Sequence, residues 1–532
     1  MTSPSSPSSS SDAEIVVVDL FAGAGGLSTG IAQACEALGG TLGEDVRLVA
    51  INHSEDAIAT HEQNHPWAEH YHAKIEELHP PDVVDPGAVT LLAGGPSCTH
   101  HSNARGGKPI REQERASAWH VLHWIQQLRP EQLLIENVPE FRSWSRVIDG
   151  EATNDGAIYQ QWIQTLQALG YTIIRDDRGR YGVTLRACDY GDPTSRRRLF
   201  VIGSRTHKPT APEPTHSADP EDDLREYRTA ATIIDWSDRG ESIWARSRPL
   251  AKNTMQRIAE GIRRHCDDRL APYADVVETL GPEDVEQLQD DVVPIDDLET
   301  AVKERTEPFL VTGEVAIADG GVTGEEPDPG AVLVMGQHSG AYPRDAQGRP
   351  VPTVTTTGAI HHIAVDAFVK PRNLPQRGVH SNATYDPGAQ PAHTITARNH
   401  DGHLVSPYLI VYNGQSDAAD VDEPLPTVRT KARHALIEPD LFPWGLDIRY
   451  RLLEPHETKQ AQGFPADYEI CGDTKRSVRK QIGNAVPVNL ARALGAHILS
   501  WNTPSLSTFG GGVTADPETE IPAYAEVSST DD

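Results

Sequence analysis

The chain has 532 residues, with 47 Lys and Arg against 77 Asp and Glu, a formal charge of −30. That length allows roughly two to four domains, and no apolar stretch approaches the ~20 residues needed to span a bilayer. The five cysteines (Cys35, Cys98, Cys188, Cys266 and Cys471) have no CxxC spacing, which excludes a Cys-rich zinc module and a disulfide framework. Lysine is scarce beside arginine, and the acid excess reads as adaptation to high salt. In molar salt the Debye length shrinks to about 3 Å, so the negative charge does not exclude a nucleic-acid partner. The Ser/Pro-rich start, residues 1–12, has no apolar h-region and reads as a disordered leader rather than a secretory signal. A cytoplasmic protein is expected.

From Ala13 to Arg205 apolar strands alternate with helical patterns, the signature of an α/β fold with a mostly parallel sheet. The first strand, Ile15–Asp19, runs into the glycine turn Asp19-Leu20-Phe21-Ala22-Gly23-Ala24-Gly25-Gly26, and a helix follows over Leu27–Leu38. The turn lacks GxGxxG spacing, so alone it is as consistent with a tight βα connection as with a cofactor site. Val46–Asn52 is a second strand. The apolar run Val89–Ala93 ends in Gly94-Gly95-Pro96-Ser97-Cys98, which presents a thiol at a strand's carboxyl end. A lone cysteine is usually a small buried hydrophobe, but in open α/β sheets that edge is where ligands bind. His100 and His101 follow Cys98, but no second ligand cluster stands out, so no metal is expected.

A helix over Ala116–Leu128, stopped by Pro130, leads to strand Gln132–Glu136 and then to Asn137-Val138-Pro139. Glu136 would share the edge with the thiol and the turn, as a proton donor or hydrogen-bond partner for a ring. Ile163, Leu166 and Leu169 mark a helix stopped by Gly170. Arg196-Arg197-Arg198 runs into a late strand over Arg198–Ser204. Alternate residues on a strand point the same way, so Arg196 and Arg198 are expected to reach one ligand together.

Composition shifts after His207. The stretch Gly281–Thr300 is strongly acidic and reads as a solvated linker or insertion. A weak repeat follows: Pro352-Thr353-Val354-Thr355, Ala392-His393-Thr394-Ile395-Thr396 and Pro426-Thr427-Val428-Arg429, with Gly336-Gln337 and Gly414-Gln415 in preceding segments. It suggests a β-rich module of duplicated elements. α/β character returns at Arg451–Ser500, and the end after residue 502 reads as a disordered tail.

Together these residues resemble a DNA cytosine-5 methyltransferase, a family that uses S-adenosyl-L-methionine. DLFAGAGG resembles its cofactor motif, GGPSC its nucleophile motif, ENV its carboxylate motif and TSRRRLF its QxRxR motif, with Thr194 in place of Gln. Arg451 through Pro465 and Gly483-Asn484-Ala485-Val486-Pro487 resemble the last two motifs. All six stand in the family's order and frame residues 15–500.

The resemblance implies a Rossmann-like methyltransferase domain over 13–205, completed by 448–502. Residues 206–447 would hold a largely β target-recognition domain with the acidic linker, and 503–532 the tail. It implies that Cys98 attacks carbon 6 of a flipped cytosine, that Glu136 engages the ring nitrogen, and that Arg198, assisted by Arg196, holds the base carbonyl. Asp19, Phe21, Ala22, Gly23, Gly25, Gly26, Leu27, Asn484 and Ala485 would form the cofactor site. His53 stands where the family places a ribose-binding carboxylate, and Lys74 where it places an acid that reads adenine; Glu55, Asp56 and Glu76 lie nearby. Ser97 is a milder departure. The implied partner is double-stranded DNA, with a cognate restriction endonuclease as a further candidate. A monomer is expected, with no membrane partner. Competing readings are the same chemistry on RNA, a non-catalytic DNA-binding paralogue and, more distantly, a dehydrogenase.

Overall fold

The computed structural model describes residues 14–96, 117–148, 151–220, 223–266, 270–312, 332–334, 369–370, 403–404, 408–411, 418–421, 424–428, 430–431, 434–442 and 445–502. Cys98, Ser97, His100, His101, the expected leader and tail, the first two repeat copies, Gly336-Gln337 and Gly414-Gln415 lie outside the described residues. The chain divides into two units: residues up to Ile233, 423–432 and from Glu454 onward, and residues 234–422 with 433–453.

The first unit is built on a sheet whose strands are β1 (Ile15–Leu20), β2 (Val46–Asn52), β3 (Glu69–His72), β4 (Leu91–Gly94), β5 (Gln132–Asn137), β6 (Thr172–Ile173), β7 (Val183–Arg186) and β8 (Arg197–Ser204). Their order is β3-β2-β1-β4-β5-β8-β6, with β7 also paired to β8. Strands β1 to β5 run parallel, and β8 is antiparallel to β5. The chain order reverses between β1 and β4, which makes the carboxyl ends of these two strands the expected ligand crevice.

Alternation along β1 explains why both faces must be covered. Val16, Val18 and Leu20 enter one buried cluster with Val121, Trp124, Ile125 and Leu128 of α3 (Ser117–Leu128) and with Trp162 and Ile163 of α4 (Ala157–Ala168). Ile15 and Val17 enter another with Leu27 and Ile31 of α1 (Gly26–Ala37) and with Leu490, Leu494 and Ile498 of the C-terminal helix Val488–Leu499. Each such side chain contributes about 1.5–3 kcal/mol on burial. The last helix thus returns to cover the first.

Its packing on α1 is close because small residues face each other. A Cβ on Gly30 would lie 2.5 Å from the Ala491 Cβ, and one on Gly495 would lie 3.2 Å from the Ala34 Cβ. The helix start is capped from the middle of the chain. Asp192 accepts the backbone N–H groups of Asn489 at 3.1 Å and Leu490 at 3.0 Å. Burial pushes this carboxyl up to about 7 despite those hydrogen bonds.

Packing with the sheet extends past Arg205, where the composition shift suggested a boundary. Thr215 donates its backbone N–H to Asp189 at 2.9 Å, and Tyr190 donates its hydroxyl to the Pro212 carbonyl at 3.0 Å. The third repeat copy also belongs to this unit. Leu425 exchanges backbone hydrogen bonds with Pro193 and Ser195, at 3.0 and 2.7 Å.

In the second unit, His434–Phe442 and Gly445–Leu452 form a long antiparallel pair within a mixed sheet that includes Phe309–Thr312 and Tyr408–Val411. Helices Lys252–His265 and Ala271–Thr279 were not anticipated; Met255, Ile258, Ile262, Ala274 and Val277 share a buried cluster with Ile437 and Ile448 of the sheet. The acidic stretch from Gly281 to Thr300 is not a solvated linker. It forms helix Pro282–Asp290, strand Val293–Pro294 and the start of helix Leu298–Glu304, and it buries Val285, Val293 and Leu298. Acidic residues dominate its composition, but spaced apolar residues decide its fold.

Candidate active site

Strand register brings three chain segments to one edge. Leu20 is level with Gly94, and Gly94 is level with Ile135, so the turn after β1, Gly95 and Glu136 emerge together.

The turn after β1 is tightly wound. Phe21, Gly23 and Gly25 have φ of 68°, 58° and 85°, all in the left-handed region. Phe21 is the costly one, because a bulky side chain seldom adopts this conformation. Ala22 donates its N–H to the Ile51 carbonyl at 3.1 Å, Gly25 to Ala22 at 2.9 Å, and Thr29 to Gly25 at 2.7 Å. Beneath the turn, Asp19 is buried and accepts the Ser28 hydroxyl at 2.6 Å. Burial pushes the Asp19 carboxyl up to about 7, and the Ser28 hydrogen bond partly opposes this.

The glycines of the turn face different surroundings. In front of Gly23 the nearest atom to an added Cβ is the Phe21 carbonyl oxygen, at 3.6 Å, which leaves the backbone open to a ligand. A Cβ on Gly25 would lie 2.4 Å from the Tyr468 hydroxyl, and one on Gly26 would lie 2.2 Å from the Val486 carbonyl oxygen. Gly25 and Gly26 therefore turn their missing side chains toward protein rather than toward the crevice. Leu27 points into the core, Asn484 is exposed, and Ala485 packs with Ala24, Phe464 and Tyr468. Tyr468 also donates its hydroxyl to the Ala24 carbonyl at 2.7 Å. The motif reading missed this residue, although it stands four positions after Phe464 of the Gln462-Gly463-Phe464-Pro465 motif.

At the neighbouring edge, Glu136 closes β5 and pairs with Arg198, whose Nε lies 2.9 Å from Glu136 Oε1. Antiparallel pairing sets this contact: β8 aligns Phe200 with Glu136, and Arg198 follows two residues earlier on the strand. Gly95 packs against the carboxylate, since a Cβ there would lie 2.9 Å from Glu136 Oε2. The Asn137 side-chain amide donates to the Pro96 carbonyl at 3.1 Å. The chain leading to Cys98 is thus tied to β5 through Pro96.

A family model described as C-5 cytosine-specific DNA methylase matches residues 15–273 and 373–500. The chain belongs to this family. Among similar members, Type II methyltransferase M.AgeI of Thalassovita gelatinovora is 32% identical over 207 residues, 37% of this chain and 42% of that protein. Type II methyltransferase M.SacI of Streptomyces achromogenes is 28% identical over 225 residues, 40% of this chain and 53% of that protein. The chain spans about half the length of these curated relatives. The S. pombe Dnmt2 methyltransferase structure aligns at 13% identity and a TM-score of 0.41, covering 92% of this chain and 99% of that one.

Within the family's motif frame, Arg196 is not brought to the carboxylate. It is buried, and its guanidinium donates to the backbone carbonyls of Val428 at 2.8 Å and Gly483 at 3.0 Å. The strand begins at Arg197, so pleat alternation does not place Arg196 beside Arg198. Arg196 instead joins the third repeat copy to the segment carrying Asn484.

The two atypical positions are both at the surface. His53 is exposed, with its carbonyl 3.2 Å from His72 Nε2, and Lys74 pairs with Glu77 at 3.3 Å. Of the nearby acids, Asp56 accepts the Ser477 hydroxyl, whereas Glu55 and Glu76 are exposed. Among the described residues no group of three or more His, Cys, Asp or Glu could hold a metal ion, and no helix is long and apolar enough to cross a membrane.

Proposed function

We propose that this chain transfers a methyl group from S-adenosyl-L-methionine to carbon 5 of cytosine in double-stranded DNA. The observation that carries the reading is the Glu136–Arg198 pair, at 2.9 Å, set against Gly95 on the segment that leads to Cys98. A carboxylate and a guanidinium side by side match the edge of a cytosine, whose ring nitrogen and carbonyl are adjacent. Glu136 protonates or hydrogen-bonds the ring nitrogen, and Arg198 holds the carbonyl. Cys98 Sγ adds to carbon 6, and carbon 5 becomes nucleophilic. After methylation, loss of the carbon 5 proton expels Cys98 and restores the ring. The cytosine is flipped out of the duplex, because the thiol cannot reach carbon 6 within the stack.

The open backbone at Gly23, the φ pattern of the turn and the buried Asp19 beneath it suit a bound cofactor. Phe21, Ala22 and Gly23 would contact it, with Asn484 and Ala485 as further candidates. When bound, S-adenosyl-L-methionine supplies an electrophilic methyl. Arg196 would assist Arg198 by holding the segments around Val428 and Gly483 in register.

The second unit and its neighbouring segments would select the target sequence. The relatives' names support a restriction–modification setting with a cognate endonuclease, and we infer a monomer in the cytoplasm. The −30 charge supports a protein adapted to high salt.

The test uses the full chain with labelled methyl donor, duplex DNA and, separately, tRNA. Label is expected in DNA cytosines and is lost with Cys98→Ser at unchanged melting temperature. Full labelling by that variant overturns the mechanism, and labelling of tRNA alone overturns the substrate. Repeating the assay from moderate to molar salt tests the halophilic reading, because an enzyme inactivated by molar salt is not adapted to it.

A further inference from the structure

Beneath Gly25 lies a histidine cluster that the motifs do not mention. His61, near the end of α2 (Glu55–Asn64), and His65, just past it, stand four residues apart and stack at 4.4 Å between ring centroids. Both are buried, at 0% and 4% exposure. A Cβ on Gly25 would lie 3.1 Å from His65 Cε1 and 3.2 Å from His61 Cδ2, so the two rings form the floor under the turn. His65 Nε2 lies 3.1 Å from the hydroxyl of Thr29, in the first turn of α1, and that hydroxyl donates to the Tyr468 oxygen at 3.5 Å. His61 Nδ1 lies 2.8 Å from Nε2 of the half-buried His70 on β3. Among the described residues, His61 Nε2 and His65 Nδ1 have no hydrogen-bond partner.

We propose that His61 and His65 are positioning residues for the methyl donor, holding the Ala24–Gly25 peptide through the His65–Thr29–Tyr468 contacts. This rests on the methyltransferase reading above. Both ends of that peptide are constrained: Tyr468 holds the Ala24 carbonyl, and the Gly25 N–H is held by Ala22. The rings touch the turn from below, on the side away from open Gly23. Two buried nitrogens without partners are costly where an apolar side chain would fill the same space. Toward the turn His65 supplies a polar contact to Thr29, while His61 is held from β3 by His70.

Burial keeps protons off the pair. Facing it are His70 on β3, which itself neighbours Glu62 on α2, and Tyr468, which neighbours Asp19. Burial and then the neighbouring ring His70 oppose a proton on His65, whose pKa falls to about 4 although its backbone contact with His61 opposes the shift.

The experiment is steady-state methylation of unmethylated genomic DNA by the full chain. His65→Leu and Thr29→Val should each raise the KM for S-adenosyl-L-methionine about tenfold while kcat and the KM for DNA change less than about twofold. His65→Gln, which keeps a polar atom within reach of Thr29, should restore the KM to within about threefold. Melting curves accompany each variant, and Thr29→Val decides the matter if the Leu variant does not fold. An unchanged KM for the donor, or a parallel loss of kcat and DNA affinity, overturns the positioning role. Wild-type protein that methylates nothing and binds no labelled donor overturns the underlying reading and this one with it.

Discussion

The turn after β1 and the end of β5 share one edge but are held in place differently. The β5 end is set by its own sheet: β8 delivers Arg198 to Glu136, and Gly95 comes from the adjoining strand. The turn is set by parts of the chain far away in sequence, with Tyr468 on Ala24 and Val486 against Gly26. The β5 end is therefore held by contacts between neighbouring strands. The turn depends on the C-terminal return, so substitutions there should register first in stability and, on the proposed reading, in donor affinity.

The sharpest test of that contrast is Glu136→Gln. It keeps a polar partner for Arg198, so the melting temperature should move by only a few degrees while kcat falls on the order of a thousandfold. A large stability loss would show that the β5 edge is structural as well. Next comes Asp19→Asn beneath the turn. Burial raises the Asp19 pKa to about 7 from an ordinary 3.8. A raised carboxyl favours folding while protonated, so that contribution is complete below about pH 4 and is lost as pH rises through 7. The variant should therefore gain on wild type across that window, by on the order of 3 kcal/mol in stability. Melting both proteins at several pH values checks the sign.

Gly26→Ala should cost about 2 kcal/mol by forcing a methyl against the Val486 carbonyl, measured by denaturant unfolding. A silent change would mean the C-terminal return is loosely seated. The smallest effect is expected for Lys74→Ala. Its ion pair with Glu77 is exposed, so stability should shift by less than about 0.5 kcal/mol, with donor affinity unchanged. A marked loss of affinity would bring the β3 edge into the cofactor site after all.

Much of the sheet was legible because its strands are buried on both faces and read as continuous apolar runs. β2 has the bounds expected, and β1, β5 and β8 differ by a residue at one end. Glu136 and Arg198 were each legible at a strand terminus, but their pairing, set by the antiparallel register, was not. The contacts of Arg196 with Val428 and Gly483 were not legible, because no local pattern reveals them. The different duties of Gly23, Gly25 and Gly26 were hidden for the same reason. His61 and His65 did leave a signal, a four-residue spacing at the end of α2, but spacing alone could not say what lay above them. The acidic 281–300 stretch misled because overall charge outweighed the few apolar positions that are buried.

The bond from Tyr468 to Ala24 joins residues 444 apart in the chain. At synthesis rates of about 5–20 residues per second, the turn waits roughly 20 to 90 seconds on the ribosome before its support emerges. Until then the first helix lacks its covering partner and the turn after β1 lacks its brace. The first strand and its turn therefore reach their final packing only when the fold is completed, so a chain released early would lack both supports.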